Sequence, residues 1–371
     1  MEIKPFRAIR PKLEFISSPE TFFGTVKYDY PEYFKNGFFA KDAQEAIYIY
    51  QIKRDKIVHT GILACADIQD YINGSIKKHE NTLAAKEQSQ IQLLLARKSL
   101  VKPVLLTYKG VSEIDQLIKE EVSNRNPDYS IVFEEKKLSH HFWMVANGQK
   151  IGAFQELFKQ KIKTAYIADG HHRCATIARM YNQNKDNHPY NGYKKLFCSF
   201  FSMEQLEIHD FNRVVEGLAH ISLTKLMAYL SNVFQIEVLD ESAKPSKKHE
   251  IILFVNNEWF KLTWKKEVLN EYKNEPVVLD ATLLDEKVLR DIINIVDIRT
   301  DERLKYVEGP KGLSGLQKVT AKNDLRMAFI LYPVAMKDFI HVATHNAIMP
   351  PKSTWFEPRM MNGLINKAYE V

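Results

Sequence analysis

Three short stretches of the chain gather side chains that hold phosphate and move protons. In the densest, Asp169-Gly170-His171-His172-Arg173, a carboxylate, two imidazoles and a guanidinium lie within five positions. At the start of a helix the first N–H groups lack intrahelical partners and the dipole is positive. There His171, His172 and Arg173 would surround an anion, with Arg173 able to hold two phosphate oxygens at once. Gly170 permits the tight turn that this requires. The same residues also suit an ordinary capped helix, with Asp169 near the N-cap and the histidines incidental.

The second stretch, Gly74-Ser75-Ile76-Lys77-Lys78-His79-Glu80-Asn81-Thr82, runs into a long helical pattern that starts near Leu83. Lys78 adds a cation, and either Glu80 or His79 is of the type that takes a proton from a substrate hydroxyl. A solvated, capped helix start has the same composition. The third stretch, Met349-Pro350-Pro351-Lys352-Ser353-Thr354-Trp355-Phe356-Glu357-Pro358-Arg359, is a proline-stiffened loop presenting Lys352 as a point charge and Ser353 and Thr354 as hydroxyls. It ends like a P-loop but lacks the preceding glycines, so no Walker site is assigned. A strap packing Trp355 and Phe356 on the core is compatible with a phosphate contact from Lys352.

Taken together, these residue types fit phosphoryl transfer. That reaction needs cations and N–H groups around the transferred group, usually a magnesium ion, and a base near the acceptor hydroxyl. On this reading Lys78, His172, Arg173 and Lys352 form a cationic cradle. Asp169 holds the Mg2+ or orients a histidine, and Glu80 is the first candidate for general base.

The elements that must position these residues follow from hydrophobic spacing. Thr164 to Ala168 is short, apolar and partly β-branched, as a buried strand is. After the turn, Cys174, Ile177, Ala178 and Tyr181 recur at helical intervals, so one face can pack on a sheet. Further strands are expected at Ala46 to Ile52, Thr60 to Ala66, Val104 to Tyr108, Ser130 to Glu134, His141 to Val145 and Leu196 to Ser202. Helices are expected at Thr82 to Ser99, Ser112 to Glu121, Gly152 to Lys159, Arg173 to Asn182 and Leu223 to Val233. This alternation is that of a mixed α/β, or α+β, fold. Asn182 to Gly192 is polar and turn-rich and reads as a surface loop or a lid.

A charged connector, Glu241 to Lys248, precedes Ile251 to Val255, and Asn256-Asn257-Glu258 separates that run from Trp259 to Thr263 in a hairpin pattern. An accessory helix-hairpin-helix unit is therefore expected over 221–324. The larger unit is expected over 1–220, completed by 325–371, with Met327 to Tyr332 returning to its sheet. Asn212-Arg213 carries a weaker polar signal, and Asp297-Ile298-Arg299-Thr300-Asp301-Glu302-Arg303 reads as a salt-bridged surface segment.

At 371 residues, 45% hydrophobic and 26% charged, the chain has the size and composition of a globular protein with a large core. The 52 basic and 46 acidic residues leave only +6, spread along the chain, which suits a small anionic ligand and gives no dense basic face for nucleic acid. Cys65, Cys174 and Cys198 stand singly in apolar surroundings, without metal-ligand spacing. Met1 to Phe6 has no signal-peptide pattern, and no run of roughly eighteen apolar residues occurs. The expectation is a cytoplasmic protein with no membrane partner.

Ile76 to Thr82, Tyr166 to Arg173 and Met349 to Phe356 closely resemble segments of the uncharacterised domain-of-unknown-function family numbered 1015. Asp297 to Arg303 looks similar too, and the match runs from near Ile3-Lys4-Pro5-Phe6 to the C-terminus. The Asp-Gly-His-His-Arg turn also resembles the phosphate-binding turn of the ParB and sulfiredoxin fold. That wider group includes free serine kinases, which use ADP, ATP or, near this family, inorganic pyrophosphate. The resemblance implies a ParB/sulfiredoxin-like core and an L-serine kinase that makes O-phosphoserine from pyrophosphate or ADP/ATP. Departures sharpen this. Sulfiredoxins carry a nucleophilic cysteine where this chain has His171, and imidazole cannot perform thiol redox chemistry. ParB proteins carry glutamate there and a helix-turn-helix domain, of which no clear counterpart follows here. The alternative class is a regulatory protein that senses a nucleotide or phosphorylated metabolite and performs no chemistry.

Overall fold

The fold is given by a computed structural model that describes residues 1–184, 192–219 and 221–369. Its contacts divide the chain into two units, Met1–Glu207 with Pro358–Val371, and Ile208–Glu357. The architecture is mixed α/β with several sheets, as the alternating pattern predicts.

The first unit is built on strands β1 (Ile47–Arg54), β2 (Ile57–Asp67), β3 (Ile76–Lys77), β4 (Val104–Tyr108), β5 (Tyr129–Phe133), β6 (Leu138–Val145), β7 (Ala165–Asp169) and β8 (Lys195–Ser202). They are ordered β3-β7-β4-β8-β2-β1-β6-β5, with Ile3–Lys4 added on β2. The central strands are buried along nearly their whole length, which is why they read as unbroken apolar runs rather than as alternating ones. Four helices supply apolar side chains to this core: α1 (Ala84–Arg97) through Ile91 and Leu94, α2 (Ser112–Asn124) through Ile114 and Ile118, α3 (Gly148–Lys161) through Phe154 and Phe158, and α4 (His171–Asn184) through Cys174, Ile177 and Ala178. Helix α3 begins four residues before its expected start because Asn147 caps it, accepting from the N–H groups of Gln149 and Lys150. Of the polar run after α4, residues 185–191 lie outside those described.

A smaller sheet in the same unit joins Phe39–Lys41, Ala8–Pro11, Asn366–Ala368 and Ser99–Leu100. Tyr369 fastens the end of the chain by donating from its hydroxyl to the Lys195 carbonyl at 3.0 Å and accepting from Phe197 N at 3.2 Å.

The second unit is larger than the 221–324 expected. It begins at Ile208 and runs to Glu357, around an antiparallel sheet of β9 (Phe211–Val215), β10 (Phe234–Leu239), β11 (Glu250–Val255), β12 (Glu258–Trp264), β13 (Leu304–Glu308) and β14 (Met327–Leu331), ordered β10-β12-β11-β14-β9-β13. The expected hairpin is β11 and β12. Its two turn residues, Asn256 and Asn257, both have positive φ, 48° and 62°, as a tight two-residue hairpin turn demands. Met327–Leu331 does not return to the first sheet: Phe329 pairs with Leu253 on one side and Arg213 on the other. A fully apolar run suits the centre of any sheet, so its pattern carries no address. Asp297 to Arg303 behaves as expected, with Arg303 on Asp301 at 2.6 Å and Asp297 accepting from Arg299 N. Among the described residues no helix is long and apolar enough to cross a membrane.

Candidate functional site

Two of the three stretches meet, and one strand pairing brings them together. β3 runs parallel to β7, with Ile76 opposite Ala165 and Lys77 opposite Tyr166. Parallel strands end on the same edge of a sheet, so the residues leaving β3 (Lys78, His79, Glu80) emerge beside those leaving β7 (Asp169, Gly170 and the first turn of α4). The carboxyl ends of strands are where open α/β sheets bind ligands.

His79 and His171 form the floor of this place, 1% and 6% exposed. Their rings stand edge to face, 4.4 Å between centroids. The backbone N–H of His79 donates to Nε2 of His171 at 3.4 Å, which leaves the ring proton of neutral His171 on Nδ1. Burial pushes His171 down to about 3, with Asp169 pulling weakly the other way. Burial likewise drives His79 well below the ordinary histidine range, and the proximity of His171 adds to this. Both imidazoles are therefore uncharged at neutral pH. Glu80 lies between them, Oε1 at 3.9 Å from Nε2 of His79 and Oε2 at 3.7 Å from Nδ1 of His171. Its side chain is 31% exposed, so it borders solvent while resting on two neutral rings.

Asp169 sits in the opposite environment. Its Oδ2 meets Nη2 of Arg173 at 2.7 Å and Nζ of Lys102 at 3.2 Å, and its Oδ1 faces Nη2 of Arg359 at 3.7 Å. Burial by itself would raise this carboxyl, but Lys102, Arg173 and Arg359 together hold it well below the usual range. A carboxylate committed to three cationic side chains is a poor ligand for the magnesium ion expected of it, so that role is carried no further than an expectation. Among the described residues no group of three or more His, Cys, Asp or Glu could hold one either.

Gly170 is required on two counts. Its φ is +111°, and a Cβ there would stand 2.7 Å from Nη2 and 2.8 Å from Nε of Arg173. The guanidinium thus lies flat against the turn, and its Nε is buried without a hydrogen-bond partner. His172 is half-buried on the same helical turn, and Lys78 is exposed beside His171. Lys102 and Arg359 were given no role in the sequence reading. The one signal for Lys102 is its place just before Pro103 and a buried strand; Arg359 comes in from the end of the chain.

Matching the description "Protein of unknown function (DUF1015)", a family model covers residues 6–282. The chain belongs to this family. Of the segments read as resembling DUF1015, 76–82 and 166–173 lie inside the matched range, with Glu80, Asp169 and Arg173, whereas 297–303 and 349–356 lie beyond it. No curated protein matches the sequence. Among solved structures the chain is similar to SbnI with a C-terminal truncation from Staphylococcus aureus, at 11% identity and TM-score 0.43, covering 81% of this chain and 85% of that one. It is also similar to a free serine kinase in complex with AMP, at 12% identity and TM-score 0.39, covering 86% and 94%. A third is a conserved hypothetical protein from Pyrococcus furiosus, at 13% identity and TM-score 0.37, covering 84% and 96%.

Lys352, Ser353 and Thr354 belong to the second unit of the DUF1015 chain. There Lys352 has positive φ, 59°, and its ammonium lies 5.4 Å from the centre of the Phe211 ring. Ser353 donates to the Pro350 carbonyl at 2.7 Å, and Ser353 and Thr354 are both buried. The strap packs as expected, with Phe356 fully buried against Phe339 and Trp355 edge-on to Phe211. The three cysteines are buried, and burial raises the thiol of Cys174 to about 12 and that of Cys65 to about 11. Neither is a thiolate at neutral pH, which agrees with setting thiol redox chemistry aside.

Proposed function

We propose that the cluster around Glu80 and Arg173 is the centre of a phosphotransferase that converts free L-serine to O-phospho-L-serine, with pyrophosphate or ADP/ATP as donor. The observation that carries this is the parallel pairing of β3 with β7, which sets one carboxylate on neutral ground beside a helix start rich in cations. The two carboxylates have divergent surroundings, as an acid–base site requires.

In the proposed step the serine hydroxyl oxygen attacks the terminal phosphorus of the donor. The new O–P bond forms as the bridging P–O bond breaks, and phosphate, AMP or ADP leaves. Glu80 takes the hydroxyl proton. Its imidazole neighbours are neutral and so do not compete with the substrate proton, and His171 presents Nδ1 toward Oε2 from 3.7 Å. His79 holds His171 from below. Arg173, His172, Lys78 and the first N–H groups of α4 receive the phosphates, with Gly170 allowing close approach. A magnesium ion accompanying the donor would take its ligands from phosphates and water rather than from Asp169. The ParB/sulfiredoxin-like description of the first unit rests on the resemblance of its turn and is part of the same proposal.

Phosphorus NMR of the purified protein with L-serine and each donor in turn tests the reading. Appearance of O-phosphoserine with at least one donor supports it. Absence with pyrophosphate, ADP and ATP, together with no reverse reaction from O-phosphoserine, overturns it. Donor binding without turnover would replace it with the sensing role.

A further inference from the structure

Lys102 reaches the site by a route independent of both stretches that define it. Just before it, Ser99–Leu100 is paired with the returning C-terminal strand, Leu100 opposite Lys367 and Ser99 opposite Ala368. Gly363 N donates to the Val101 carbonyl at 2.8 Å, and Tyr369 N to the Lys98 carbonyl at 2.9 Å. Immediately after it, Pro103 restricts Lys102 to extended backbone. The backbone is thus fixed on both sides, and the ammonium, 18% exposed, is delivered to Oδ2 of Asp169.

That oxygen is already taken. Arg173 Nη2 binds it at 2.7 Å, closer than Lys102 at 3.2 Å. Two sheltered cations therefore share one carboxylate oxygen, while Nε of Arg173 is buried without a partner. Gathering like charges out of water costs free energy that a single carboxylate does not offset. A second anion at the same spot would. If Asp169 needed only a counter-ion, Arg173 would suffice.

We infer that Lys102 is a phosphate-binding residue of this site and that Asp169 is a positioning residue, holding Lys102 and Arg173 side by side to receive one phosphoryl group of the donor. Its substrate rests on the phosphotransferase reading above, but the binding claim is tested without turnover. Burial lowers the ammonium's affinity for its proton, the Asp169 carboxylate opposes that, and Arg173 and Arg359 add to the lowering. A charged hydrogen bond is worth about 1.5–3 kcal/mol, which is roughly ten- to a hundredfold in a dissociation constant.

The test is calorimetric titration of inorganic pyrophosphate and of ADP into the full-length protein, its Lys102→Met and Lys102→Arg variants, and Asp169→Asn. The expected result is wild-type binding, a loss of about tenfold or more in Lys102→Met and substantial recovery in Lys102→Arg, with thermal melts showing each variant folded. Asp169→Asn should weaken binding although it removes a negative charge, because the two cations lose their common anchor; tighter binding in that variant would overturn the positioning role. Wild-type binding with Lys102→Met within twofold overturns the assignment of Lys102 and leaves the phosphotransferase reading standing. No binding by the wild type overturns both. Should Lys102→Met melt early, Lys102→Arg against Lys102→Gln at a temperature where both are folded decides, and equal affinities in that pair count against the inference.

Discussion

His79 and His171 stand ring edge to ring face, centroids 4.4 Å apart, although ninety-two positions separate them in the chain. The pair joins the two stretches into one site, because it is the surface on which Glu80 rests. On the proposed reading Glu80, which borders solvent and faces two neutral rings, is the base that takes the substrate proton. Replacing Glu80 with Gln preserves its shape and removes its basicity. The expected outcome is a fall in O-phosphoserine formation on the order of a hundredfold to ten-thousandfold, with the melting temperature and pyrophosphate affinity within error of wild type. Unchanged turnover in the Gln variant removes Glu80 from the role of base.

Gly170→Ala attacks the turn directly. The alanine backbone must adopt φ near +111°, and its methyl would lie under 3 Å from the Arg173 guanidinium. Backbone strain of this kind costs about 1–3 kcal/mol, and Arg173 must also move away from Asp169. Both a lower melting temperature for the first unit and weakened pyrophosphate binding are expected. A variant that melts as wild type and binds as wild type would show that the turn tolerates a side chain, against the geometry.

In the second unit the most consequential buried charge is Arg213, which has no exposure. Nη1 donates to the Phe211 carbonyl at 2.7 Å and to the Lys352 carbonyl at 3.2 Å, Nε lies 3.6 Å from Asp285, and the guanidinium covers the Tyr306 ring. Burial raises the Asp285 carboxyl even though Arg213 draws it down. Removing the cation while the acid remains should cost about 3–5 kcal/mol, so Arg213→Met is expected to unfold the second unit at markedly lower urea. Asp285→Asn leaves the guanidinium, which cannot shed its proton, buried without its counter-ion and should also destabilise the second unit clearly. A variant of either kind that unfolds at the wild-type urea concentration would contradict the pairing.

What the sequence made legible follows from range. The strand at Val104–Tyr108 and the helix at Leu223–Val233 are read to the residue, because each is a short periodic pattern bounded by its own signals. Helix Pro19–Lys35 is absent from the expected elements despite a Ser18 cap and a proline at its first position, because Gly24 and Pro31 inside it mimic breaks. The turn at Asp169 and the base at Glu80 could be proposed from composition, yet their contact depends on a two-residue parallel pairing that no local pattern encodes. Lys102 and Arg359 are silent for the same reason: each is far from Asp169 in the chain, Lys102 arriving just after the Ser99–Leu100 strand and Arg359 with the returning C-terminal segment. Met327–Leu331 carries no sign of which sheet it joins, because an all-apolar strand fits either.

The buried histidines set a pH dependence whose sign can be worked out. Burial pushes His171 to about 3 and His140 to about 3, against an ordinary value of 6.5. Between those limits the unfolded chain binds protons that the folded first unit does not, so unfolding gains as pH falls and stability rises with pH across the window. Above pH 6.5 both states are neutral at these positions and the dependence from them ends. Asp169 does not contribute here, since cations hold it well below 3.8 and its stabilisation is lost only under more acid conditions. Urea unfolding at intervals from pH 4 to 8 should therefore show the midpoint of the first unit falling below about pH 6.5. In His171→Gln, which cannot charge, the fall should be shallower while the plateau above pH 7 persists. An identical slope in that variant would mean that His171 meets protons as readily in the folded state as out of it, and that the floor beneath Glu80 is not a neutral one.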